Sequence, residues 1–238
     1  MVLLATASVA VCLVAAGVSG APAYPGCAPG RDLQFRAADG TRLVGHRFGT
    51  GTTADVLAHH TDGVVCQWVP YAKRLAALGY TAIAFDFRGY GLSQRRAYPA
   101  SFRFSGDISA AVRTARSLGA KHVILVGASF GGNAAIVAAA NTRPQVDGVV
   151  SLSGPATFRL DAVPAAKRLQ VPVLYLAAQF DEGGQSASDA KTLYASTASS
   201  DKQLEIVSGA AHGVQLVAGP GKARDLVEAF LRKVSARG

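Results

Sequence analysis

Beyond residue 27 the chain alternates short apolar runs with longer stretches in which apolar residues recur every three or four positions. Unbroken or period-two apolar runs predict strands at 33–35, 42–48, 56–58, 81–85, 123–126, 146–152, 171–177 and 203–207. The first two alternate apolar and polar residues, as an antiparallel edge with one wet face does. Later ones, such as Val123-Ile124-Leu125-Val126 and Val171-Pro172-Val173-Leu174-Tyr175-Leu176, are continuous, which suits parallel strands covered on both faces. Helical spacing predicts helices at 68–78, 106–118, 130–140, 186–195 and 223–234. In the last, Leu226, Val227, Phe230, Leu231 and Val234 share a face, with Arg224, Glu228 and Arg232 turned away.

Strands alternating with helices of this length make βαβ units. They imply a three-layer α/β domain with a mostly parallel sheet of about eight strands and helices on both sides. No repeat or low-complexity linker interrupts it, so 24–238 reads as one domain. Half the residues are apolar and 16% are charged, which excludes a disordered chain. The net charge of +9 raises the question of an acidic partner. Its basic residues are scattered in pairs such as Lys73-Arg74 and Arg232-Lys233, with no aromatic-interleaved stripe, so no nucleic-acid partner is expected. Electrostatic adsorption to anionic surfaces is what the charge leaves open.

Residues 2–18 are uncharged and nearly all apolar, and Ala21 and Ala23 stand in an A-x-A arrangement. Residues 1–23 therefore read as a secretory signal peptide, although Met1 supplies the only positive charge ahead of the apolar run. The alternative is an uncleaved, outward-facing membrane anchor, for which the run falls short of the roughly 20 residues that span a bilayer. Cleavage removes Cys12 and leaves Cys27 and Cys66, either as a disulfide or as two separate buried thiols.

In open parallel sheets ligands bind beyond the carboxyl ends of the strands. There the chain carries Gly127-Ala128-Ser129-Phe130-Gly131, a G-x-S-x-G motif that leaves a buried strand and opens a helix. The turn needs small residues two before and two after the serine, which Gly127 and Gly131 supply. A serine hydroxyl needs a base and a group to orient that base. The strand at 171–177 runs into Asp181 and the strand at 203–207 into His212, with Glu182 as the second choice of acid. Ser129, Asp181 and His212 thus follow three strands in the order Ser, Asp, His.

On these residues the chain, from about Leu33 to Val234, resembles an α/β-hydrolase-fold serine hydrolase. The segment Asp86-Phe87-Arg88-Gly89-Tyr90-Gly91-Leu92-Ser93 is similar to the family's D-x-R-G-x-G-x-S stretch, where the Asp and Arg organise a loop. The resemblance implies an oxyanion hole made by the amides of Phe130 and Thr61, the latter in the loop His59-His60-Thr61-Asp62-Gly63. His60 departs from the family, which has glycine there. A metal at His59-His60 is not expected, since no further ligands stand at suitable spacing; His46 and His122 read as surface or structural.

The resemblance implies ester hydrolysis through a Ser129-His212-Asp181 triad, with no metal or organic cofactor. Only 153–170 separates the two strands between which the family inserts its cap, so no large lid fits and small esters or exposed polymer esters are the expected substrates. A similarly small, open branch, that of the dienelactone hydrolases, carries cysteine where this chain has Ser129. Haloalkane dehalogenase chemistry needs a carboxylate there. The alternatives are an amide- or peptide-directed hydrolase and a noncatalytic secreted binding protein on the same fold.

Overall fold

The computed structural model describes residues 27, 30–95 and 104–237; the expected signal peptide lies outside the described residues. Strands β1 (Arg31–Arg36), β2 (Arg42–Phe48), β3 (Thr53–Ala58), β4 (Thr81–Phe85), β5 (His122–Ala128), β6 (Gly148–Leu152), β9 (Val173–Ala178) and β10 (Lys202–Val207) form one sheet in the order β1-β2-β4-β3-β5-β6-β9-β10. All neighbours from β4 to β10 are parallel, while β1–β2 and β2–β4 are antiparallel. A short hairpin, β7 (Thr157–Phe158) and β8 (Leu160–Asp161), stands apart from it.

The unbroken apolar strands are needed because both faces are covered. On β5, Val123 and Leu125 join the core under α2 (Phe104–Ser117), α3 (Phe130–Asn141), α4 (Val163–Ala166) and α5 (Gln185–Ser196). Ile124 and Val126 join the opposite core under α1 (Val69–Ala77), α6 (Gln215–Ala218) and α7 (Lys222–Ser235). At about 25 cal/mol per Å² of apolar surface, this two-sided burial is the main force holding the layers together.

Two expectations need correction. The alternation at 42–48 does not leave a wet face, because β2 is covered at its edge by β1 and Leu43 is packed against Ala110 of α2. Glu228 does not face away: it is buried, and its carboxylate accepts two bonds from Arg74, at 2.7 and 2.9 Å, which neutralise it. The connection at 153–170 holds the β7–β8 hairpin followed by α4, elements too short for periodicity to reveal. It is no large cap. Cys27 and Cys66 are joined in a disulfide, with Cα atoms 5.7 Å apart.

Candidate active site

Ser129 sits at the turn from β5 into α3 with φ 53° and ψ −125°, a conformation L-residues seldom adopt. Its N–H donates to the Leu152 carbonyl at 2.8 Å, hanging the turn on the end of β6. The flanking glycines are sterically required. A Cβ on Gly127 would lie 2.1 Å from the Gly131 carbonyl oxygen, and one on Gly131 would lie 2.2 Å from that of Ala58. That second contact presses the start of α3 against the end of β3 and so brings the loop at 59–63 to the serine.

Asp181 and His212 follow β9 and β10. Phe180 N–H donates to the Gly209 carbonyl at 2.9 Å, tying the two loops together. His212 Nδ1 lies 2.8 and 3.0 Å from the two Asp181 carboxylate oxygens, and Asp181 is almost completely buried while the imidazole is partly open. This fixes the tautomer: Nδ1–H donates to the carboxylate and Nε2 is left as the basic nitrogen. Glu182, the second choice of acid, is exposed and instead accepts from the Ser186 hydroxyl at 3.1 Å. One donor atom each from Asp181, Glu182 and His212 lies within 4.8 Å of the others. With both Asp181 oxygens turned to His212 Nδ1, the group is arranged as an oriented imidazole rather than as an open ligand set.

In the loop after β3, buried His59 donates from Nδ1 to the neighbouring His60 carbonyl, while its Nε2 accepts from the Phe87 N–H at 3.1 Å. Burial holds its pKa below the ordinary imidazole value. His60 Nε2 accepts from the Val214 N–H at 2.9 Å, and its ring stands edge-on to His212 with centroids 5.3 Å apart. Among the described residues, neither the Thr61 N–H nor the Phe130 N–H is engaged by a protein acceptor. The Ser129 hydroxyl makes no hydrogen bond among the described residues, a looseness common before substrate is in place.

Asp86 and Arg88 do organise the loop. Asp86 accepts from the Val65 and Leu92 N–H groups at 2.8 and 2.9 Å, and Arg88 pairs with buried Asp107 at 2.6 Å and with Asp39 at 2.7 Å. His46 lies buried beside Asp32 and His122 beside Asp147, both at 3.0 Å, as structural histidines.

A model of the α/β hydrolase fold matches residues 49–170 of the sequence. The chain belongs to the α/β-hydrolase family. No curated protein sequence matches it. Solved structures similar to this α/β hydrolase include a Pyrococcus furiosus esterase, at TM-score 0.72 and 16% identity, covering 85% of this chain and 89% of that one. An esterase from a Rhodococcus species matches at TM-score 0.68 and 20% identity, covering 87% and 100%. A monoacylglycerol lipase from Paleococcus ferrophilus matches at 0.64 and 18%, covering 82% and 99%. At these identities the likeness is one of fold.

Two supporting residues of this α/β hydrolase are not evident from motifs. Ser153, with φ 52°, accepts from the Gly213 N–H at 3.0 Å and so braces the His212 loop from the end of β6. Gln215 accepts from the His212 N–H at 3.0 Å. A signal for Ser153 exists in hindsight, a Ser-Gly pair closing a buried strand, but its partner lies 60 residues away.

Proposed function

We propose that the chain is a secreted serine hydrolase that cleaves carboxylic esters through an acyl-enzyme. The observation that carries this is His212, oriented by buried Asp181 at 2.8 Å, on the same sheet edge as the strained Ser129. His212 Nε2 takes the proton from Ser129 Oγ as the oxygen attacks the ester carbonyl carbon, and the amides of Phe130 and Thr61 receive the oxyanion. The tetrahedral adduct collapses by breaking the bond to the alcohol oxygen, which leaves with the proton from His212. Water then repeats the sequence on the acyl-enzyme: His212 takes its proton, the acid departs, and Ser129 regains its proton.

Among the described residues the connection at 153–170 forms no large cap, which favours small esters or accessible ends of larger ones. That three similar folds are named esterases or a lipase supports the same reading. Secretion is supported by the apolar segment at 2–18 and by the Cys27–Cys66 disulfide, a bond that persists in oxidising compartments.

The test is hydrolysis of 4-nitrophenyl esters from acetate to palmitate by protein beginning at Tyr24, with a Ser129→Ala control. Turnover that vanishes in the control supports the reading, and its profile sizes the acyl pocket. Folded protein that hydrolyses none of the series, or a Ser129→Ala variant that stays active, overturns it.

A further inference from the structure

We propose that Arg159 is a specificity-determining residue that makes an anion-recognising subsite, selecting esters whose acyl part ends in a carboxylate. The inference rests on the ester-hydrolase reading and deepens it.

Arg159 is the single residue at the tip of the β7–β8 hairpin, with φ 55°. The hairpin is held down on α3, because buried Asn133 donates from Nδ2 to the Pro155 and Leu160 carbonyls at 2.9 and 3.0 Å. The guanidinium then lies 5.5 Å from the ring of Phe130, the residue whose N–H follows the nucleophile. It also lies 5.8 Å from the Phe104 ring and 5.6 Å from that of Phe158. Contacts of this kind hold a cation in place without neutralising it.

One nitrogen, Nη1, donates to the Tyr90 hydroxyl at 3.0 Å, and Tyr90 in turn packs against His59 of the loop at 59–63, with ring centroids 5.1 Å apart. Among the described residues Arg159 has no carboxylate partner, and its Nε and Nη2 make no hydrogen bond. An exposed guanidinium, positioned by aromatic rings and one phenol, therefore keeps two donors free of protein acceptors among the described residues, beside the residue that follows Ser129. A planar pair of donors suits a carboxylate, which accepts two parallel bonds.

The side of the cleft follows from His212. That imidazole must protonate the leaving alcohol, so the alcohol lies toward the His212 loop. The hydrogen bond and ring contacts of Arg159 run to Tyr90, Phe104, Phe130 and Phe158, and among the described residues no hydrogen bond, ion pair or ring contact joins it to that loop, which argues for the acyl side. Phe158, itself 43% exposed, offers apolar surface for the methylenes between the carbonyl and the carboxylate.

The experiment compares kcat/KM for mono-4-nitrophenyl succinate with that for its neutral methyl ester, at low and high salt. It uses wild-type protein and Arg159→Gln, Arg159→Lys and Arg159→Glu variants whose folding is checked by circular dichroism. The wild type is expected to prefer the anionic ester, with the preference weakened by salt. The ratio falls about tenfold in Arg159→Gln, is kept in part by Arg159→Lys, and inverts in Arg159→Glu. A purely structural role for the side chain would lower both rates together and leave the ratio alone. Hydrolysis of both esters with the same ratio in wild type and Arg159→Gln, or a wild-type preference for the neutral ester, overturns the subsite alone. Hydrolysis of neither ester by folded wild type overturns the hydrolase reading and the subsite with it.

Discussion

His60 Nε2 accepts a 2.9 Å hydrogen bond from the Val214 N–H, joining the loop that carries Thr61 to the loop that carries His212. The bond requires the neutral imidazole with its proton on Nδ1, which faces Asp62 at 3.6 Å. Close packing reinforces it, since a Cβ on Gly213 would fall 2.3 Å from the same Nε2. Where the family usually has glycine, this chain has a side chain that ties the proposed oxyanion loop to the proposed base.

His60→Gly should therefore lower kcat about tenfold to a hundredfold, through a misplaced His212, with a smaller change in KM. It also leaves the Val214 N–H without its acceptor, at a cost of about 1–3 kcal/mol in stability. Steady-state kinetics with a neutral ester and urea unfolding measure the two effects. Unchanged kcat would show that the His212 loop holds itself.

His60 also predicts a pH dependence. Burial, with help from neighbouring His212, lowers its pKa to about 4. Between that value and the ordinary imidazole range near 6.5, the unfolded chain binds a proton that the folded chain does not. Its contribution to stability is thus complete above pH of about 6.5 and is lost as pH falls toward about 4. His59 shifts in the same direction for the same reason. Thermal midpoints measured from pH 7 down to pH 4 should fall more steeply in wild type than in a His60→Gln variant.

Asp55, fully buried in β3 with no hydrogen-bond partner for either carboxylate oxygen, works with the opposite sign. Burial pushes its pKa well up, so the unfolded chain gives up its proton first as pH rises. Stability is highest below the ordinary carboxylate range and declines as pH climbs toward the folded value. Replacing the group with the neutral amide in Asp55→Asn should flatten the decline of thermal midpoint as pH rises past the ordinary carboxylate range. A decline equally steep in the variant would locate the effect elsewhere.

The carboxylates after β9 make a paired prediction. Asp181→Asn should cut kcat by about ten-thousandfold, because the amide no longer favours the Nδ1–H tautomer. Glu182→Gln, which touches Ser186 and not His212, should stay within a few fold of wild type. Comparable losses in both variants would count against the assignment of Asp181.

Opening the disulfide gives a stability test. It closes a loop across a 39-residue separation and anchors Cys66 in the turn that follows the oxyanion loop. Cys27→Ser with Cys66→Ser should cost about 2–4 kcal/mol. Reducing agent should lower the thermal midpoint of wild type and leave that of the double variant unmoved.

By itself the sequence determined the layered α/β architecture, because strands buried on both faces must be continuously apolar and helices lying on them must repeat every three to four residues. Runs such as 123–126 announce this locally. It also determined the strained turn at Ser129, since the steric demands of the turn are met by Gly127 and Gly131 within five residues, and it located the two loops that hold Asp181 and His212. Only the tertiary structure decided the rest. The bond of His60 to Val214 spans 154 residues and that of Ser153 to Gly213 spans 60, so no local pattern records them. Glu228 read as a wet position from helical spacing, yet Arg74 lies against it and makes its burial tolerable. Arg159 lay unnoticed in a connection too short for periodicity, and it acquires a place in the cleft only because Asn133 pins its hairpin to α3. Backbone patterns are dictated by neighbours in the chain, whereas the partners of a side chain are dictated by which strand ends the sheet order brings together.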